Sequence, residues 1–127
     1  MDILTSSNKH PDRERSDECT TEVRIKAADT AERVSRLLDR LGKSAKCSSG
    51  FRTSGANKAS GGATQSAHLT GEAVDLEDSE GGLGRAILSD PGLLDACDLY
   101  VEHPNYTDGW LHCQTRPTKS GRRIFVP

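Results

Sequence analysis

Aromatic residues are scarce in this sequence: one Trp, two Tyr and two Phe, 4% of 127 residues. Apolar residues of every kind reach only 33%. That is little core for the length, but 28% charged residues and 12 Gly do not amount to the composition of a disordered chain. A single domain is the expectation. Neither sign of charge dominates. Seventeen Lys and Arg stand against 19 Asp and Glu, a net charge of -2, which argues against a bulk electrostatic nucleic-acid binder. No apolar run approaches the length of a membrane span, so no membrane partner is expected. The opening MDILTSSNKHPDRERSDE has no apolar stretch of the secretory kind, so synthesis in the cytoplasm without a signal peptide is expected. Cys19, Cys47, Cys97 and Cys113 form no CxxC pair, which argues against a cysteine zinc knuckle and for four reduced thiols.

What is present reads as an α+β domain. Residues 1–18 are polar and form an N-terminal arm, followed by one domain over 19–127. Thr20 or Thr21 is placed to cap a helix, with Glu22 in its first turn. Val23, Ala27, Ala31, Val34, Leu37, Leu38 and Leu41 follow at steps of three and four, and Gly42 stops the helix. Residues 47–53 read as a strand and 54–67 as a long Gly/Ser loop. Further strands are predicted over 73–77, 98–102, 110–115 and 123–126. Short helices fall over 82–88 and after Asp90, with Asp90 as cap and Pro91 at the first position. The order predicts a small antiparallel sheet flanked by one long N-terminal helix and short helices.

The four histidines are His10, His68, His103 and His112. His68 ends the Gly/Ser loop, and Asp75 follows seven residues later in the next strand. A turn at Thr70-Gly71 brings the two together, and His112 comes from a neighbouring strand, on one face with Trp110 and Gln114. Two imidazoles and a carboxylate leave one coordination position open, the catalytic rather than the structural arrangement for zinc. Zinc in such a site lowers the pKa of water from about 15.7 to about 7.

Three segments then acquire a joint meaning. Ser-Gly-Phe-Arg at 49–52, Ser-Ala-His-Leu-Thr-Gly-Glu-Ala-Val-Asp at 66–75 and Trp-Leu-His at 110–112 together resemble the zinc D-alanyl-D-alanine carboxypeptidase family. That family includes D,D-dipeptidases and phage L-alanyl-D-glutamate endopeptidases, and it shares its fold with the signalling domain of hedgehog proteins. The resemblance runs over residues 47–115, and SxHxxGxAxD is its most specific part. It implies zinc held by His68, Asp75 and His112. It implies Arg52 as a substrate-binding or transition-state cation, suited by its planar fork to a carboxylate or oxyanion, and Ser66 as a hydrogen-bond donor to substrate. The implied substrate is a peptidoglycan stem peptide, the implied setting the cell wall, with a phage or particle origin.

The sequence departs from the family at one position. The peptidases place a carboxylate three residues before the last histidine, where this chain has Gly109. Asp108 and Glu102 are the candidates to replace it. If strands 98–102 and 110–115 form a hairpin with residue 102 opposite 110, Glu102 lies on the metal face, diagonal to His112. The Tyr-Val-Glu…Leu-His-Cys pattern also resembles the hedgehog domain, in which the glutamate belongs to the metal site and no peptidase role is established. A catalytically silent binding or structural module is therefore the alternative. Gly71 and Ala73 are read as allowing backbone close to the metal, Glu72 as a surface charge, Trp110 as packing beside the site and His103 as a residue of the cleft edge. His10 is assigned to the tail, and 116–123 to a basic, solvated tail able to attract anionic polymer.

Overall fold

A computed structural model describes residues 1–5 and 13–127; His10 lies outside the described residues. Helix α1 spans Thr21–Leu41. Thr20 caps it, its hydroxyl accepting from the Val23 amide at 3.2 Å, and Gly42 closes it in the left-handed conformation at φ 64°. The stripe read from the sequence is the buried face, with Ala31 and Leu41 at its margin. One polar residue interrupts that face. Thr30 is fully buried, and its hydroxyl reaches the carbonyls of Lys26 at 2.8 Å and Gly71 at 2.9 Å.

Five strands form one sheet: β1 (Cys47–Ser49), β2 (Ala73–Glu77), β3 (Tyr100–Glu102), β4 (Trp110–Gln114) and β5 (Ile124–Phe125), in the order β1-β2-β4-β3-β5. All neighbours pair antiparallel except β3 and β5, which run parallel, so the expected all-antiparallel sheet is corrected at that edge. Alternation divides the sheet in two. Val74, Leu76, Val101, Leu111 and Cys113 join α1 in the core, each fully buried Val or Leu stabilising the fold by about 1.5–3 kcal/mol. Asp75, His112, Glu102 and Trp110 stand on the opposite face, along an open cleft. Helices α2 (Ser54–Ala59), α3 (Gly82–Ser89) and α4 (Gly92–Cys97) complete the domain. Ile3, in the segment expected as an arm, is buried in the core, and its carbonyl accepts from the Phe51 amide at 2.7 Å. Cys19, Cys97 and Cys113 are buried thiols, and no disulfide joins any of the four cysteines.

Three local expectations are corrected. The loop over 54–67 contains α2, which Thr53 caps by accepting from the Ala56 amide; six residues are too few to display a periodic stripe. The helix expected to start on Asp90 and Pro91 begins at Gly92, because Asp90 instead closes α3 through its amide to Ala86 and Ile87. The β3–β4 register is Tyr100↔Gln114 and Val101↔Cys113, two residues from the expected pairing. A shift of two preserves the face, so Glu102 stays on the cleft side, and the register carried one residue past Val101↔Cys113 sets it opposite His112. Among the described residues no helix is long and apolar enough to cross a membrane.

Gly71 holds the junction between α1 and the sheet. Its φ is +76°, and a β-carbon there would lie 2.8 Å from the Val23 carbonyl oxygen and 3.2 Å from the Ala27 β-carbon. Gly71 thus faces α1 rather than the metal position. Gly71→Ala should lower stability by about 1–3 kcal/mol through strained backbone and overpacking. Denaturant unfolding checks this; an unchanged midpoint contradicts the packing described.

Candidate metal centre

The site is assembled from two elements and a turn. Ser66 caps the turn Ala67–Thr70 by accepting from the His68 amide at 3.2 Å, and Gly71 ends it. The Arg52 amide donates to the His68 carbonyl at 3.0 Å. Asp75 is central in β2, and His112 is its direct partner in β4. His68 Nε2 lies 3.3 Å and His112 Nδ1 3.0 Å from the same oxygen, Asp75 Oδ1. All three donor atoms lie within 4.8 Å of one another. Metal–ligand bonds of about 2.1 Å at tetrahedral angles put donors about 3.4 Å apart, so the spacing suits a small divalent cation.

The protons fit as well. His68 Nδ1 is 2.7 Å from the Gly50 carbonyl, which only accepts, so that nitrogen carries the hydrogen and Nε2 keeps its lone pair. His112 Nε2 faces Gln114 Oε1 at 2.8 Å and donates to it. Both inner nitrogens therefore present lone pairs toward a carboxylate oxygen. Such a set needs a cation or an added proton to be stable, and oriented outer nitrogens are what metal-binding histidines show. With no cation, a proton on an inner nitrogen takes its place and makes the hydrogen bond to Asp75. Burial would raise the Asp75 pKa, but hydrogen bonds and charge from His112 and His68 hold it far below the usual carboxylate range. Burial lowers that of His68. For His112 burial acts in the same sense, but the Asp75 hydrogen bond and charge outweigh it and the pKa rises.

The Ser-Gly-Phe-Arg segment now has a physical account, residue by residue. Ser49 Oγ accepts from Arg52 Nε at 3.0 Å. Gly50 supplies the carbonyl for His68 and must lack a side chain, since a β-carbon would lie 2.2 Å from the Ile3 carbonyl oxygen. Phe51 is fully buried. Arg52 Nη2 pairs with Asp75 Oδ2 at 3.0 Å, so it steadies the carboxylate as well as facing the cleft.

Arg52, Ser66, His68, Asp75, Glu102 and His112 line one cleft of about 1380 Å³, with Trp110 beside them. Glu102 is half-buried. Burial raises its pKa, and the Asp75 charge adds to this against the opposing pull of His112. Asp108 is exposed and is not among the residues that line this cleft. Gly109 has φ +84° with open space where a β-carbon would stand, so glycine serves the backbone turn there. His103, expected at the cleft edge, is not part of the cleft lining: it caps the turn Pro104–Tyr106, its Nδ1 accepting from the Asn105 amide at 3.1 Å.

Two residues were misjudged from sequence alone. Glu72 is not a bare surface charge: it pairs with Arg116 at 3.2 Å and Lys26 at 3.8 Å, and Thr70 donates to it. Arg116 is not part of a solvated tail, since it also donates to the Gln65 carbonyl at 2.7 Å and to Thr70 Oγ1 at 2.8 Å. It straps the turn that carries His68. Long-range polar contacts of this kind leave no local signal in sequence.

The structure is thus an α+β domain with a His-Asp-His donor set, able to hold a metal ion, in a cleft. The family model for Peptidase M15 matches residues 8–87, more than half the chain and including His68 and Asp75. The chain belongs to the Peptidase M15 family, and membership points to a metallopeptidase. No curated protein and no solved structure matches the chain.

Burial raises the pKa of Glu72, but Thr70 and Arg116 outweigh it and the net direction is down. A carboxylate with a depressed folded pKa stabilises the fold above its unfolded pKa, and that contribution is lost as pH falls through the folded value. Glu72→Gln should therefore flatten the acid side of the stability–pH curve relative to wild type. Unfolding midpoints between neutral pH and the carboxylate range test this; parallel curves contradict the strap.

Proposed function

We propose that the protein is a zinc-dependent peptidase that hydrolyses peptide bonds in peptidoglycan stem peptides, as a D,D-carboxypeptidase or an L-alanyl-D-glutamate endopeptidase. The observation that carries this reading is the convergence of His68 Nε2, Asp75 Oδ1 and His112 Nδ1 in a cleft that also holds Glu102, in a chain of the M15 family. Two imidazoles and one carboxylate suit zinc and leave a coordination position open. When bound, zinc supplies a Lewis acid that polarises the scissile carbonyl and acidifies water.

The chain's own residues supply the rest. Glu102, opposite His112 and with its pKa raised by burial, takes the proton of the attacking water and returns it to the leaving amine. Arg52 holds Asp75 in place through Nη2, while its Nη1 makes a long 3.5 Å contact with Asn57; from the cleft wall its charge would pair with the anionic end of the substrate. Ser66 donates from the cleft wall. The substrate and a phage or particle setting at the cell wall rest on the sequence resemblance; no nucleic-acid or membrane partner is proposed.

One observation favours a second reading. Gly109 stands where the peptidases carry their carboxylate, and a zinc domain that binds a partner without turnover would tolerate that change.

Purified protein should hold one zinc per chain, and His68→Ala or His112→Ala should remove it. Chelation should lower the melting temperature, since a ligand bound only by the folded state stabilises it. Full zinc in both variants, read by elemental analysis, contradicts the ligand set.

Glu102→Gln keeps the shape but cannot accept a proton. General acid–base groups contribute about 10²–10⁴-fold, so cleavage of peptidoglycan should fall by at least about 100-fold with zinc retained, while Asp108→Asn does much less. The reverse order would move the base to Asp108. A wild type that binds zinc fully and cleaves no stem peptide would establish the binding-module reading instead.

A further inference from the structure

Gln114 lies two residues beyond His112 on the same strand and the same face. The mechanism above does not use it, yet it is bonded on both sides. Its Nε2 donates to the Arg116 carbonyl at 2.8 Å, and a carbonyl only accepts, so the orientation of the amide is fixed. Its Oε1 therefore faces His112 Nε2 at 2.8 Å. An amide oxygen accepts only, so the imidazole must carry its hydrogen on Nε2. Nδ1 is then the nitrogen on the Asp75 side, 3.0 Å from Oδ1, and the one that gives its lone pair to a cation when a cation replaces the proton shared there.

We propose that Gln114 is a positioning residue that sets the tautomer and ring orientation of His112 for metal binding through Nδ1. The inference rests on the metal-site reading above. His68 receives the corresponding service from a backbone carbonyl, that of Gly50, which no substitution removes; His112 receives it from a side chain, which one does. Arg116 joins the two arrangements. Its carbonyl holds the Gln114 amide, and its guanidinium holds Gln65, Thr70 and Glu72 around the turn that carries His68. A side chain two residues along a strand suits this task, because alternation returns it to the same face as the ligand.

The test compares the full chain with Gln114→Leu, which removes the acceptor, and Gln114→Glu, which retains an acceptor for Nε2–H. Zinc affinity is measured by competition with a chromophoric chelator, and circular dichroism checks the fold. Loss of an outer partner of a ligating histidine typically costs about 10–100-fold in metal affinity. Gln114→Leu should show a loss of that size, and Gln114→Glu a smaller one, since it restores the acceptor for His112 but not the donor to the Arg116 carbonyl. Equal affinity in Gln114→Leu and wild type overturns the proposal. So does an equal loss in both variants, which would make Gln114 a packing residue of the strap.

A second readout needs no variant and covers the case in which Gln114→Leu fails to fold. In zinc-loaded wild type labelled with ¹⁵N-histidine, His112 should show a hydrogen on Nε2 and a metal-bound Nδ1. Zinc on Nε2 overturns the assignment. A folded wild type that binds no zinc removes the metal-site reading and this inference with it. That result differs from failure of the Gln114 role alone, in which wild type and Gln114→Leu bind equally.

Discussion

Three electron-rich atoms are held together on one face of a small sheet, and most of the neighbouring structure exists to keep them there. His68 Nε2 and His112 Nδ1 both approach Asp75 Oδ1, within 3.3 Å and 3.0 Å, with their own protons turned outward. Unpartnered, such a group would cost the fold, because buried charge is tolerated only when paired. Arg52 balances part of it by taking the second oxygen of Asp75. The remaining demand is met by a proton on a histidine or by a bound cation, so the three residues form a possible metal site.

The structure behind the turn that carries His68 supports the same three residues. Thr30 on α1 and Thr115 after β4 meet behind the turn, with Thr30 bonded to the Gly71 carbonyl and the Thr115 amide to that of Glu72. Arg116 closes the outside through Gln65, Thr70 and Glu72. A turn that carries a ligand on a short 3-10 segment has little rigidity of its own. Here it is fixed by a helix, a strand extension and an arginine. Preorganised ligands on well-supported elements favour a tight and specific metal site.

Much of this was legible in the sequence, for reasons that differ by element. The seven apolar positions from Val23 to Leu41 repeat over several turns, so α1 and its buried face could be read directly. His68, Asp75 and His112 could be grouped because strand alternation and one turn suffice to bring them together. Helix α2 was not legible because it is too short for a period. The β3–β4 register was missed because the turn Pro104–Tyr106 and the positive φ of Gly109 set the pairing, and neither fixes a loop length from sequence. Glu102 kept its face only because the discrepancy was an even number of residues. Arg116 and Gln114 were invisible in their roles, since each acts through partners brought near by folding.

The account depends on three named atoms holding one metal ion. A crystal of the metal-loaded protein, with anomalous diffraction recorded on either side of the zinc absorption edge, measures this most directly. The predicted result is a single peak per chain at about 2.0–2.2 Å from His68 Nε2, an Asp75 carboxylate oxygen and His112 Nδ1. A metal-loaded crystal with its peak elsewhere, or with no peak among these three residues, would contradict it.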